Sequence, residues 1–245
     1  MSVPNDVLEF LRGYPRGAND TSLSANLGFY KNTERCQPDE LLIDELHERW
    51  LGDYSKLERK HGFIQWLFPI REHGMNYESQ PLQPHEIAGI KEDTTSMKRL
   101  LTSYRLMLDF YGMQLVSEET GLVDRSLPPR NFTPRYENLV YSSHNYLRIS
   151  RILKCLSEFG YERLNAGFLL HVLCEQSESK QLNVSRLCVS MDRWWANCIR
   201  NEEEREWIAG MIAKVRGGEP DFVFTRDMYK EALLRRQSTG SFRDE

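Results

Sequence analysis

Residues 94–112 read TTSMKRLLTSYRLMLDFYG, and their spacing decides the fold class. Met97, Leu100, Leu101, Tyr104, Met107, Leu108 and Tyr111 recur at helical intervals, so they form one apolar stripe. Leu106 and Phe110 lie on the opposite side, which makes the second half apolar nearly all round and places it inside a core. Asp93 or Thr94 can cap the start and Gly112 can end it, so the reading is a long organising helix from 94 to 111.

Upstream lies the most apolar run of the chain, Phe63-Ile-Gln-Trp-Leu-Phe-Pro-Ile-Arg-Glu72. Burying each such large side chain is worth roughly 1.5–3 kcal/mol, so the run must sit in the core or against a partner. Phe63, Trp66, Leu67 and Ile70 share helical phase, while Pro69 disfavours helix at Phe68. A helix of one or two turns ending at Phe68 is expected, buried and packed on the 94–111 helix, with Gln65 bonded to a loop backbone. The run is too short to cross a bilayer, which needs about 20 apolar residues.

Helical spacing continues outward in both directions. Helices are predicted from Pro38 to Trp50, 53–60 and 84–92 before the organising helix. After it they are predicted from Pro134, from a cap at Ser142 or Ser143 to Phe159, over 166–176, 184–200 and 202–216, and from Arg226 to Arg236. Residues 117–135 hold three prolines and a glycine and read as a long irregular connection. No period-two strand and no repeat stands out. The expected fold is all-α, a single multi-helix globular domain of about nine to ten helices.

With 32 basic and 36 acidic residues the net charge is −4, which argues against an overall grip on nucleic acid or anionic membrane. Asp6 and Glu9 stand where a signal peptide would be apolar, and the five cysteines are odd in number and scattered. An intracellular chain with free thiols is expected.

Catalytic signatures are absent: no glycine-rich phosphate loop, no GxSxG, no HExxH and no CxxC. His171 and Cys174 have ligand-like spacing but no further ligands, so neither a metal nor a cofactor is expected. Carboxylates such as Glu202 to Glu204 read as solvated charges at a helix start. One local basic cluster remains. Between Arg125 and Lys154 six cations face a single acid, Glu137. Arg148, Arg151 and Lys154 fall within about 120° of one helix, opposite its apolar stripe. They read as one exposed face, either a solvated helix surface or a dock for an acidic protein, phosphate groups or nucleic acid, although no aromatic lies between them to stack bases.

Phe29-Tyr-Lys-Asn32, the run from Phe63 to Glu72, Leu106 to Gly112, Ser143-His-Asn145 and Arg148 to Lys154 together resemble the conserved region of the opioid growth factor receptors, over roughly residues 28–216. That divides the chain into a partly irregular segment 1–27, the conserved helical region 28–216, and a C-terminal helix and polar tail 217–245. The resemblance implies a non-enzymatic receptor, distinct from seven-helix opioid receptors, cytoplasmic and nuclear or perinuclear. It implies that the receptor binds the pentapeptide Met-enkephalin, restrains cell proliferation and has a nuclear-import or other protein partner. It supplies no ligand residues. A peptide with a free amino-terminal tyrosine needs an acid for its ammonium, and Asp109 is the candidate because its neighbours are strongly apolar.

Overall fold

The computed structural model describes residues 3–15, 17–219 and 221–243. Among them the chain forms thirteen α-helices. The first seven are α1 (Asn5–Leu11), α2 (Ala25–Tyr30), α3 (Ile43–Trp50), α4 (Tyr54–Arg59), α5 (Phe63–Leu67), α6 (Pro84–Glu92) and α7 (Thr94–Phe110). A short antiparallel hairpin follows, β1 (Met113–Leu115) with β2 (Val123–Arg125), and then α8 (Thr133–Tyr141) and α9 (His144–Glu158). The last four are α10 (Glu162–Ser177), α11 (Ser185–Arg193), α12 (Glu202–Ala213) and α13 (Arg226–Thr239). They group into two compact units, one of residues 14–110 and one of residues 1–13 with 111–245. The fold is helical, as the apolar spacing predicts, and the extra helices include α1, within residues 1–27, and α2, which crosses the end of that stretch.

In the 14–110 unit, α7 begins where expected. The Asp93 carboxylate accepts the backbone N–H groups of Thr95 and Ser96, both at 3.1 Å, filling donors that a helix start leaves open. Leu100, Tyr104, Leu106, Met107, Leu108 and Phe110 are all buried. Arg99 ties the helix to its neighbours, with two bonds to Asp44 of α3 at 2.8 and 2.7 Å and one to the Tyr30 carbonyl of α2. Glu86, with no exposed surface, accepts from Gln83 at its own helix start and from the Leu27 backbone of α2.

The apolar run is core from Phe63 to Ile70. Helix α5 lasts five residues, and Phe68 swings to φ −134° ahead of Pro69. Its aromatic partners lie on α2 and α3: Trp66 meets Phe29 edge-on at 5.5 Å and Phe63 meets Trp50 at 5.2 Å. The Trp66 indole N–H donates to the Gln37 carbonyl at 3.1 Å. Gln65 finds a side chain rather than loop backbone, accepting the Ser79 hydroxyl at 3.0 Å.

Several boundaries differ from expectation. The helix placed at Pro38 begins at Ile43, because residues 36–41 close a tight turn through Cys36 N–H to the Leu41 carbonyl at 2.9 Å. Glu45 reaches back to the Leu42 N–H at 3.0 Å and caps the helix there. Ser143 does not cap α9; it is already helical at φ −63°, and the first turn closes instead by backbone bonds from Asn145 and Tyr146. The 117–135 connection contains β2, whose three residues are too few to show alternation. The helix expected over 184–200 ends at Arg193 and a 3-10 turn, Trp195–Asn197, follows.

In the other unit the central element is α10, in which every residue from Leu164 to Ser177 is buried. It packs against α9, α12, α13 and β2. Asn165 in its first turn donates to the Leu153 and Cys198 carbonyls at 2.8 and 2.9 Å, so this buried amide stitches α9 to the segment before α12. The C-terminal helix docks through Tyr229, whose hydroxyl accepts the Val123 N–H at 2.8 Å and donates to the Gly167 carbonyl at 3.0 Å.

Candidate functional site

The basic face expected on α9 is not open. Lys154 is 2% exposed and Arg148 5%, while Arg151 is half-buried. Helix α1 covers Lys154: Asp6 pairs with its ammonium at 2.9 Å and the Phe10 ring lies 5.9 Å from it. Arg148 donates to Asn145 at 3.1 Å within its own helix. Helix periodicity alone turns the arc opposite the apolar stripe to solvent, because the cover comes from the far end of the sequence. Val7 and Phe10, three apart and both fully buried, are the signal that α1 needed a surface to pack on.

Asp109 is half-buried and accepts the Tyr54 hydroxyl at 3.2 Å, a contact within the 14–110 unit.

His171 and Cys174 serve separate partners. His171 has no exposed surface, and its Nε2 lies 2.9 Å from the Tyr136 hydroxyl. Its Nδ1 faces the Arg226 guanidinium at 3.4 Å, which can only donate, so the ring proton belongs on Nε2. Burial, reinforced by Arg226 and Arg125, pushes the imidazole down to about 3. Cys174 lies 3.5 Å from the Glu178 carboxylate, and burial drives its thiol up to about 12. Among the described residues no three His, Cys, Asp or Glu side chains gather in a way that could hold a metal.

A pH dependence follows from His171. The folded protein keeps it neutral, whereas the unfolded chain protonates it near the ordinary value of 6.5. Its contribution is therefore intact above pH ~6.5 and lost on acidification toward pH ~3, at about 1.4 kcal/mol per pH unit. Imidazole NMR signals should show His171 still neutral at pH ~4, and a midpoint near the ordinary histidine value would contradict the buried, cation-flanked setting.

A cleft of ≈ 350 Å³ in the larger unit, lined by Ser157, Gly160, Glu162, Arg163, Arg200 and Arg236, is a candidate for holding a ligand. Its floor is the turn between α9 and α10. Gly160 takes φ +80° there, and the Tyr161 N–H returns to the Leu156 carbonyl at 2.8 Å, a left-handed helix ending that glycine favours. Glu162 then accepts the backbone N–H groups of Arg200 and Asn201, which fixes the entry to α12. Asn201 caps α12 through the Glu204 N–H at 3.1 Å.

Three guanidinium groups converge on this cleft, from α10, from α13 and from the connection ahead of α12. Arg163 donates its Nε–H to the Glu118 carbonyl and stacks on Tyr161 at 4.8 Å. Arg200 pairs with Glu158 and lies on the Phe10 ring at 4.3 Å. Arg236 donates to Glu204 at 2.8 Å. Glu204 was expected to be a solvated helix-start charge; it is 4% exposed, and burial raises its pKa despite Arg236. Ser157 donates its hydroxyl to the Cys198 carbonyl at 2.6 Å, and among the described residues no histidine or carboxylate is bonded to it. The arrangement suits anion binding by guanidinium N–H groups. Its arginines sit far apart in sequence on separate elements, so no local motif announces them.

The chain matches the family described as the opioid growth factor receptor conserved region over residues 19–230. Opioid growth factor receptor-like protein 1 of Rattus norvegicus is 38% identical over 89% of this chain and 46% of its own length. The opioid growth factor receptor of the same species is 45% identical over 89% of the chain and 42% of itself, and that of Homo sapiens is 38% identical over 72% and 26%. The chain therefore spans less than half of these relatives. No solved structure matches it, and no helix among the described residues is long and apolar enough to cross a membrane. On the extent of these matches, the chain belongs to the opioid growth factor receptor family.

Proposed function

We propose that this chain is a non-enzymatic, intracellular receptor domain for an opioid peptide, Met-enkephalin, shared between cytoplasm and nucleus and acting to restrain proliferation. The observation that carries the reading is the family match over residues 19–230, with relatives named as opioid growth factor receptors. The cleft adds physical support, since a peptide with a free carboxylate needs a cation and three guanidiniums line it. A pocket of ≈ 350 Å³ lies near the lower end of the usual ligand range of about 300–1,000 Å³, so it would enclose part of a pentapeptide. Flexible pentapeptides lose much entropy on binding, which predicts modest affinity. A scaffold role through Arg148, Arg151 and Lys154 loses its open surface with the burial of Arg148 and Lys154.

Titration calorimetry of the chain with Met-enkephalin beside a scrambled peptide tests the reading. Saturable heat for Met-enkephalin alone is expected. Equal heats for both peptides, or none at millimolar concentration, would overturn it.

A further inference from the structure

We propose that the arginine-lined cleft is a carboxylate site, and that the group it takes is the C-terminal carboxylate of a short peptide, anchored by Arg163. The choice of a peptide rests on the receptor reading above; the choice of a carboxylate rests on the cleft.

Each guanidinium is held at one edge and leaves donors over. Arg163 commits its Nε–H to the Glu118 carbonyl, Arg236 its Nε–H to Glu204, and Arg200 its Nε and Nη2 groups to the Phe10 carbonyl and Glu158. Among the described residues, both terminal amino groups of Arg163 and Arg236 and the Nη1 group of Arg200 have no acceptor in the protein. Each of the three also stacks on a ring: Arg163 on Tyr161, Arg200 on Phe10, and Arg236 on Phe242 at 5.8 Å. Stacked, edge-bonded arginines lose less freedom on meeting a ligand than solvated ones, so these donors are partly pre-organised.

Charge selects the kind of anion. The acids beside the cleft are Glu158, Glu162 and Glu204, each already engaged: with Arg200, with two backbone N–H groups and with Arg236. Three acids against three arginines leave no net positive charge, which disfavours a phosphate dianion; what remains to receive a planar monoanion is the bidentate face of a guanidinium. Arg163 has a backbone carbonyl instead of a carboxylate as its partner, so its charge is the least compensated of the three. The cleft has room for a terminal residue, and the rest of a pentapeptide must lie beyond it.

The test uses the full chain with Met-enkephalin, its C-terminal amide, and the dipeptide N-acetyl-Phe-Met as free acid and as amide. Calorimetry gives affinity, and NMR of the arginine Nε–H groups gives location. Arg163→Gln is the variant, because that guanidinium holds no buried acid; an unchanged melting temperature shows that it folds. The expected result is about tenfold weaker binding of the peptide on amidation. Arg163→Gln should weaken the acid by a similar factor and leave the amide unaffected. If Met-enkephalin binds and neither change matters, the cleft assignment is wrong while the receptor reading stands. If Met-enkephalin does not bind at all, the receptor reading fails by itself, and the dipeptides decide the cleft. A shift of the Arg163 signal by the acid alone keeps the assignment, and no shift at millimolar dipeptide removes it.

Discussion

Trp66→Ala lowers the unfolding free energy by about 3–5 kcal/mol, the usual cost of emptying a core aromatic site. Trp66 is 4% exposed and fills the space between α2 and the Gln37 segment, edge-on to Phe29. The loss is mostly a cavity. Its indole partner, the Gln37 carbonyl, also accepts Asn76 at 2.9 Å, so truncation leaves that oxygen bonded. Trp66→Phe, which keeps much of the volume, should cost less than half as much. Urea denaturation at constant m-value measures both, and a loss below about 1 kcal/mol for the alanine variant would place Trp66 on a surface.

Gly167→Ala is the second large effect, and it runs against helix propensity. Alanine in a helix interior is favoured over glycine by about 1 kcal/mol, yet a Cβ at Gly167 would overlap the carbonyl oxygen of Gly121 in the hairpin turn. The approach is reciprocal: Gly121 sits at φ +80°, and its own Cβ would overlap the Arg163 carbonyl. Backbone meets backbone here, and neither side can swing away as a side chain would. Retreat of the turn would pull Val123 from the Tyr229 hydroxyl, which is itself held by the Gly167 carbonyl. A loss above about 3 kcal/mol is expected, among the larger single-residue effects. Gly210→Ala is the control, since it lies exposed in α12 with nothing within 4 Å of the added carbon. That change should stabilise by about 0.4–1 kcal/mol. Two losses of similar size would mean that the close packing of Gly167 is not what matters.

What could be read from the chain depended on how local its cause was. Pro84 opens α6 and Asp93 opens α7, and Asp53 caps α4 through the Lys56 N–H at 3.0 Å; each signal lies within three residues of its effect. The burial of Phe63 to Ile70 was legible because the run has no polar face to turn outward. The burial of Lys154 has no local signal, because its cover, Asp6 and Phe10, lies almost the whole chain away. Glu204 looked solvated among its acidic neighbours until Arg236 of the last helix came to lie against it. The cleft was invisible for the same reason: Arg163, Arg200 and Arg236 acquire a common direction only when α9, α10, α12 and α13 assemble.

The same distinction separates what identifies the family from what would bind a ligand. The run from Phe63 to Glu72 carries much of the resemblance, yet its side chains from Phe63 to Ile70 face inward and have nothing to offer a peptide. Amide NMR mapping of the isotope-labelled chain during titration with Met-enkephalin sets the two apart directly. Shifts should concentrate at residues 157–163, 200 and 236 while residues 63–70 stay in place. Shifts centred on residues 63–70 would contradict both the buried reading of that run and the peptide role of the cleft, and no shift anywhere at millimolar peptide would contradict the peptide role alone.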